Sequence, residues 1–455
     1  MVTALPDTAR DTLAALERGL RAKRAADACV VELAAHWADL HPEGLLDRPG
    51  RGGSERAVRL GGEGTPLVCE FAPAELGVSL EIHSLSARAL MADALDLRHR
   101  LPSLWDLVVA RLALPEWVAR KVAALTRRLS LAQVEELDAR LANVASSLPP
   151  ARLLRVVEAM VLAADEGAED AREAALKGRF VTVNRATEHG TKGLYAKLDA
   201  PDAIRLDAEV DRLARILATR GDVSTLDVRR SRALGLLANP VAALRLVAET
   251  EPQALDADLV EFLQGLDPKQ LRPRVELVVH VTESDFTRDA HGVARFEQGG
   301  PITLAQAREV LGHAFVTIRP VIDLAHQLPT DAYEFTGSLR ECVFLRTPAD
   351  CFPYGVSTSR RMQVDHTDPY DPQGPPGQTR ADNGGPLTQR HHRLATHGRW
   401  RRRQPRPGVF LWCTPRGRYR MTDHTGTHAV APSLGKGLLD GTPLERAFCA
   451  LLLPA

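Results

Sequence analysis

The stretch MQVDHTDPYDPQGPPGQTRADNGGPLTQRHHRLATHGRW, residues 362–400, decides how the rest of the chain is read. It is built from Pro, Gly, Asp, His and Arg with few apolar residues. Such a segment cannot bury a conventional core and needs metal, docking or disorder instead. Asp365-His366, Asn383 and His391-His392 follow one another within 28 residues, and Arg399 and Arg401 to Arg403 come next. Hydrolysing a phosphodiester needs an activated water, a charge to neutralise the phosphoryl group, and help for the leaving oxygen. One imidazole and one divalent cation can supply all three. His titrates near neutrality, and a carboxylate beside an imidazole makes an open metal site. Asp365, His366 and His392 have those identities. An isolated Asp-His is usually a surface turn, and the chain has 15 His. It is the order of Asp-His, Asn and His-His in one apolar-poor basic segment that carries the signal.

Charge points to the same place. The chain carries 58 Lys plus Arg against 58 Asp plus Glu, but residues 357–420 hold thirteen Arg, no Lys, four Asp and no Glu. A basic module is therefore joined to an acidic remainder, which excludes a uniformly basic nucleic-acid coat protein and makes the clustering of the arginines the informative feature. Arg393, Arg399 and Arg401 to Arg403 form its densest patch. Trp400 and Trp412 could stack on bases, but in so small a module they are expected to be core. The six Cys form no C-x-x-C pair, as in a reducing cytosol. The N-terminus lacks a signal-peptide core, no stretch is apolar enough to span a membrane, and no G-x-x-x-x-G-K-[ST] is present. These readings predict a cytoplasmic protein with no membrane partner and no nucleotide cofactor.

Upstream, residues 7–265 are helical in period. Leu131, Val134, Leu137 and Leu141 recur at three or four, as do Leu153, Leu154, Val157, Met160 and Val161 after Pro149-Pro150. Asp202 is a candidate cap for a helix bearing Leu206, Val210, Leu213 and Leu217, with Gly221 as its stop. Residues 179–200 read as two short strands around a turn, and 47–66 as a flexible Gly-rich loop. From Arg274, VELVVHV and FVTIRPVIDL are β-rich runs flanking the helical TLAQAREVLG.

VDHTDPY, the Asn of ADNGGPL, and QRHHRLATHGRW together resemble the HNH endonucleases, whose ββα-metal motif has a first strand ending in Asp-His, a loop Asn and a helix bearing the last His. GPPGQT and PGVFLWCTPRGRYRMTDHTGT resemble the wider form of that family, in which the module follows a long helical domain of unknown function in bacterial proteins. PAELGVSLEIHSLSARALMADALDLRHRLPSLW, GLYAKLDAPDAIRLDAEVDRLA and VIDLAHQLPTDAYEFTGSLRECVF are similar to that helical domain, so the resemblance covers roughly residues 40–428. It implies that His366 is the general base. Asp365 and His392 would be ligands to a Mg²⁺-type ion, with Mn²⁺ or Ni²⁺ as substitutes. Asn383 would orient His366 through its backbone or approach the metal, and His391 would be a supporting residue. Arg393, Arg399 and Arg401 to Arg403 would grip DNA. Three departures stand out. The C-x4-C of many relatives is replaced by Cys342 and Cys351, with Thr388 where a further thiolate would stand; Asn-Leu has become Asn383-Gly384, which is expected to loosen the loop; and Ala395 stands where a basic residue is common. The first argues against a structural zinc.

The sequence thus predicts a mainly α multidomain chain: a helical segment (1–46), a helical domain (67–270), a small mixed α/β subdomain (271–338), a C-terminal ββα-metal (HNH) module (339–428) and a tail (429–455). Its expected function is metal-dependent DNA endonuclease. The rivals are a catalytically decayed DNA-binding HNH fold and a helical scaffold for an unknown protein partner.

Overall fold

The computed structural model describes residues 5–46, 53–164, 173, 176–184, 191–250, 256–266, 278–280, 292–297, 300–311, 324 and 327–453. They group into two compact units, one drawn from residues 1–166 and 319–455, the other from 167–318. The first unit thus draws on both the N-terminal and the C-terminal parts of the chain.

In that unit, α1 (Ala9–Asp39) is capped by Thr8, whose side chain accepts from the Asp11 amide at 3.1 Å. Its inner face, Ala28, Val31, Ala34, Ala35 and Ala38, is buried in the helical core. Helix α1 is therefore part of the helical core. A hairpin of β1 (Ala57–Arg59) and β2 (Leu67–Cys69) follows, then α2 (Ala72–Leu80), α3 (Ser84–Arg100), α4 (Pro102–Val109), α5 (Glu116–Thr126), α6 (Leu131–Leu141) and α7 (Pro150–Ala164). The expected stripes are core: Val134, Leu137 and Leu141 on α6, behind a capping box of Ser130 and Gln133, and Leu153 and Val157 on α7. Of the Gly-rich stretch 47–66 expected as a flexible loop, residues 47–52 lie outside the described residues, and 53–66 are tied to the helices by hydrogen bonds. Gly62 donates its amide to Asp96 Oδ1 at 2.6 Å, and Asp96 also binds Arg127 (2.6 Å) and the fully buried Arg100 (3.2 Å). Buried carboxylates need such partners, and that need pins the stretch to α3.

The second unit holds the hairpin β3 (Phe180–Val183) and β4 (Leu194–Lys197), then α8 (Ala200–Thr219), α9 (Leu226–Leu237), α10 (Pro240–Thr250) and α11 (Ala257–Gly265). The cap of α8 is Asp199, three residues before the candidate Asp202, because Pro201 already occupies the first turn, where its missing amide costs nothing. Arg220 and Gly221 end that helix as expected. A three-stranded sheet follows, β5 (Val279–His280), β6 (Val293–Phe296) and β7 (Gly300–Thr303), with α12 (Leu304–Leu311). Most of the VELVVHV run and nearly all of FVTIRPVIDL lie outside the described residues.

Back in the first unit, α13 (Gly337–Arg346) precedes β8 (Gln363–His366), β9 (Gly384–Leu387) and α14 (Gln389–His397), a ββα unit. A four-stranded antiparallel meander, β10 (Arg401–Arg406), β11 (Val409–Cys413), β12 (Tyr419–Asp423) and β13 (Gly426–Ala429), lies beside α15 (Pro432–Asp440) and α16 (Pro443–Leu451). The core of the ββα unit is Leu387, Leu394, Trp400, Phe410 and Trp412 with Cys351 and Phe352. Trp400 and Trp412 are buried, as their place in a small module requires, and the Trp412 indole donates to the Cys351 carbonyl at 2.8 Å. This cluster is completed by Phe71, Ala74 and Val78 from α2 and its cap. The apolar-poor segment thus completes its core against α2.

Candidate active site

β8 and β9 pair antiparallel, with Asp365 opposite Gly385 and His366 opposite Gly384. Thr388 then caps α14, its hydroxyl accepting from the His391 amide at 3.4 Å. The residue at the expected thiolate position is a helix start. Successive helical residues point about 100° apart, so the adjacent His391 and His392 face different ways. His392 turns toward β8, and its Nε2 lies 3.4 Å from Asp365 Oδ1. His391 turns into the interior. Its Nδ1 meets Asp350 Oδ2 at 2.7 Å, its Nε2 meets Ser84 Oγ at 2.8 Å, and Phe352 stacks on the ring at 4.2 Å. Ser84 begins α3, so this histidine ties the ββα unit to the helical domain. Ser84, His391 and Asp350 are all buried, and the chain of hydrogen bonds is structural.

Asp365 is held from two sides. Arg402 Nη2 reaches its Oδ2 at 2.5 Å and also donates to the His366 carbonyl at 2.6 Å. Burial opposes the charge of Asp365, but His392 and Arg402 outweigh it and keep the carboxyl below its ordinary range. His366 is buried, and that burial, with Arg402 nearby, pulls its imidazole below the usual histidine value against the opposing pull of Asp365. Neutral imidazole, the form able to accept a proton, is thereby favoured near pH 7. Its Nε2 lies 2.7 Å from Thr379 Oγ1.

Asn383 does not reach toward Asp365. Its side chain accepts from the Asp368 amide (2.7 Å) and donates to the carbonyls of Gln378 (3.0 Å) and Asp368 (3.2 Å), while its backbone carbonyl takes the Thr367 amide (2.8 Å). It clamps the loop from 367 to 383 at both ends. The loosening expected from Asn383-Gly384 is overturned by packing. A β-carbon on Gly384 would stand 2.8 Å from the Phe335 ring and 2.9 Å from Val343, and one on Gly385 2.8 Å from Phe410 and 2.9 Å from Cys351. Both glycines are there because nothing larger fits.

The arginines divide. Arg393 makes a two-nitrogen ion pair with Glu70 (2.9 and 3.0 Å) and bonds the Gly53 and Ser54 carbonyls, so it serves the joint with the helical domain. Arg402 faces Asp365 and the Trp412 ring. Arg401 pairs with Asp440 at 2.7 Å, Arg403 with Asp368 at 3.6 Å, and Arg399 is exposed. The run read as one patch is a strand whose side chains alternate between faces. Cys342 and Cys351 fall into different apolar clusters, and Cys342 donates to the Leu324 carbonyl at 3.6 Å. A cleft of about 960 Å³ runs between α2 and the C-terminal end of α14, lined by His41, Glu55, Glu75, His397 and Arg399, and does not include Asp365, His366 or His392.

Among the described residues no three His, Cys, Asp or Glu side chains converge as a full metal cage. In the ββα unit Asp365 and His392 come within 3.4 Å of each other and offer two donors, a carboxylate and an imidazole. Two ligands fit a hard cation that keeps most of its shell for water and phosphate oxygens.

Residues 55–346, well over half of the chain, match the family described as a domain of unknown function, DUF222. The chain belongs to the DUF222 family. No curated protein and no solved structure matches it. The DUF222 match ends at Arg346, so Asp365, His366, Asn383 and His392 lie beyond it, whereas Glu70, Ser84 and Phe335, which pack against their module, lie within it. No single helix among the described residues is long and apolar enough to cross a membrane.

Proposed function

We propose that this DUF222 protein is a divalent-metal-dependent DNA endonuclease of the HNH type. The observation that carries the reading is the ββα unit in which a strand-end Asp365-His366 faces His392 of the following helix at 3.4 Å, with Asn383 clamping the intervening loop. Asp365 and His392 would hold the cation, and the cation would neutralise the scissile phosphate and assist the leaving oxygen. His366, neutral near pH 7, accepts the proton of the attacking water. Arg402 keeps Asp365 ionised. Its Nη1 has no hydrogen-bond partner among the described residues, and a phosphate oxygen beside Asp365 would satisfy it. Arg399, Arg401 and Arg403 supply the phosphate contacts, while Arg393 works within the chain.

One observation favours a second reading, a DNA-binding protein with a decayed nuclease fold: Arg402 already occupies Asp365 Oδ2. Incubating the full chain with supercoiled plasmid and Mg²⁺, Mn²⁺, Ni²⁺ or EDTA separates the two. Metal-dependent nicking or linearisation that EDTA abolishes supports the nuclease. Retarded plasmid that stays intact under every metal supports the binder.

A further inference from the structure

We propose that Thr379, held in place by the segment 329–335 at the end of the DUF222 match, is a positioning residue that fixes the tautomer of His366. This rests on the endonuclease reading above, and it gives GPPGQT, left without a role by that reading, a task. Thr379 is fully buried, and its hydroxyl is 2.7 Å from His366 Nε2. Nε2 is thereby committed to a protein partner, and Nδ1 is the ring nitrogen left to take a proton from water. For Nδ1 to present a lone pair, the ring hydrogen must sit on Nε2 and be donated to Thr379 Oγ1. No atom is gained or lost: the water proton goes to Nδ1, and the resulting imidazolium keeps its Nε2–H bond.

The placement of Thr379 is over-determined. Its carbonyl accepts from the Thr330 amide at 2.9 Å and its amide donates to the Thr330 carbonyl at 3.3 Å. Asp331 Oδ1 takes the Gly377 amide at 2.6 Å, and the Asp331 carbonyl takes the Tyr370 hydroxyl at 2.8 Å. Gly377 has φ +76°, and a β-carbon on it would lie 3.2 Å from Pro329, so the crossing of the two segments requires glycine. Asn383 holds the neighbouring Gln378 carbonyl. Phe335 and Tyr370 set the imidazole plane, with centroids 4.8 and 5.3 Å from it. The role expected of Asn383, orienting His366, passes through Gln378 to Thr379, and residues inside the DUF222 match buttress it.

The test compares full-length wild type, Thr379→Val, Thr379→Ser and His366→Gln in plasmid cleavage and in ¹⁵N-histidine NMR, with His366→Gln identifying the His366 signals. Valine keeps the shape and removes the acceptor. Thr379→Val is expected to lower kcat about 10- to 100-fold, by analogy with the outer-shell partners that orient metal-binding imidazoles. KM for DNA should change less than about twofold, Thr379→Ser should restore the rate, and His366 should pass from a single Nε2–H tautomer to a mixture. A Val variant with wild-type kcat and an unchanged tautomer overturns the proposal, as does an Nδ1–H tautomer in the wild type. If the wild type cuts under no metal, the endonuclease reading fails while the NMR comparison still decides Thr379: a tautomer shift in the Val variant upholds its role, and identical spectra overturn it.

Discussion

At the scale of single residues, the proposed division of labour in the site is separable by mutation. His366→Ala removes the proton acceptor and is expected to cost about 10² to 10⁴ in rate while leaving metal affinity near wild type. Asp365→Ala or His392→Ala should lower both. Calorimetric Mn²⁺ titration beside plasmid cleavage checks this, and full cleavage by His366→Ala would sink the assignment. Gly385 offers a stability counterpart. Its missing β-carbon leaves room for Phe410 and Cys351, so Gly385→Ala should destabilise by about 1 to 3 kcal/mol through overpacking. Were the glycine instead a loosening defect, alanine would raise the melting temperature. The meeting of Asp365 with His392, beside His366, was legible in the sequence because the order of those residue types is what the proposed chemistry would require. The tightness at Gly384 and Gly385 was not, because it comes from Phe335, Val343 and Phe410, which are distant in sequence.

At the scale of elements, strand β10 divides a run of arginines between different partners. Pleating sends Arg402 toward Asp365 and Trp412, while Arg401 and Arg403 meet Asp440 and Asp368 at the surface. Replacing Arg399, Arg401 and Arg403 with Gln should weaken binding equally for all DNA sequences. The slope of log affinity against log salt should flatten by about 0.9 per lost phosphate contact. Arg402→Gln should instead reduce metal affinity and cleavage with little change in that slope. An unaltered slope in the triple variant would make the surface arginines bystanders. Helix α14 carries a similar lesson: Thr388 is its cap, and His391 spends both nitrogens on Asp350 and Ser84. Protein purified without added metal should therefore contain far less than one zinc per chain, and Cys342→Ser with Cys351→Ser should leave cleavage largely intact. Stoichiometric zinc lost only in that double variant would reverse this. Helix periods showed in the sequence because burial repeats every three or four residues, as on α6. Long-range pairing such as Arg393 with Glu70 leaves no such period.

At the scale of the whole molecule, the module bearing the site is completed by the N-terminal helices. Phe71, Ala74 and Val78 enter its core, Ser84 holds His391, and Arg416 meets Glu75 and, at 2.8 Å, His41. The joint is also electrostatic, which gives it a pH dependence of definite sign. Burial works against the charge of Glu70, but Arg393 and Arg56 outweigh it and hold the carboxyl below its ordinary value. Asp350 is lowered as well, with His391 and the Phe352 and Thr388 amides overcoming its burial. A carboxyl depressed in the folded state binds fewer protons there than in the unfolded chain. Its stabilisation is present above the unfolded value, about 4, and is lost as pH falls through the lower folded value. Glu55 acts in the opposite sense: burial raises its carboxyl, so it costs stability as pH rises through the carboxylate range. Melting temperature should therefore fall on acidification below about pH 4, with amide protection lost together at the Phe71–Ser84 and Asp350–Trp412 segments. Glu70→Gln should melt lower than wild type at pH 7 yet lose less on acidification, because the linked proton is gone. If Glu70→Gln and wild type show the same acid-dependent loss, the Glu70–Arg393 pair is not part of what joins the module to the DUF222 helices.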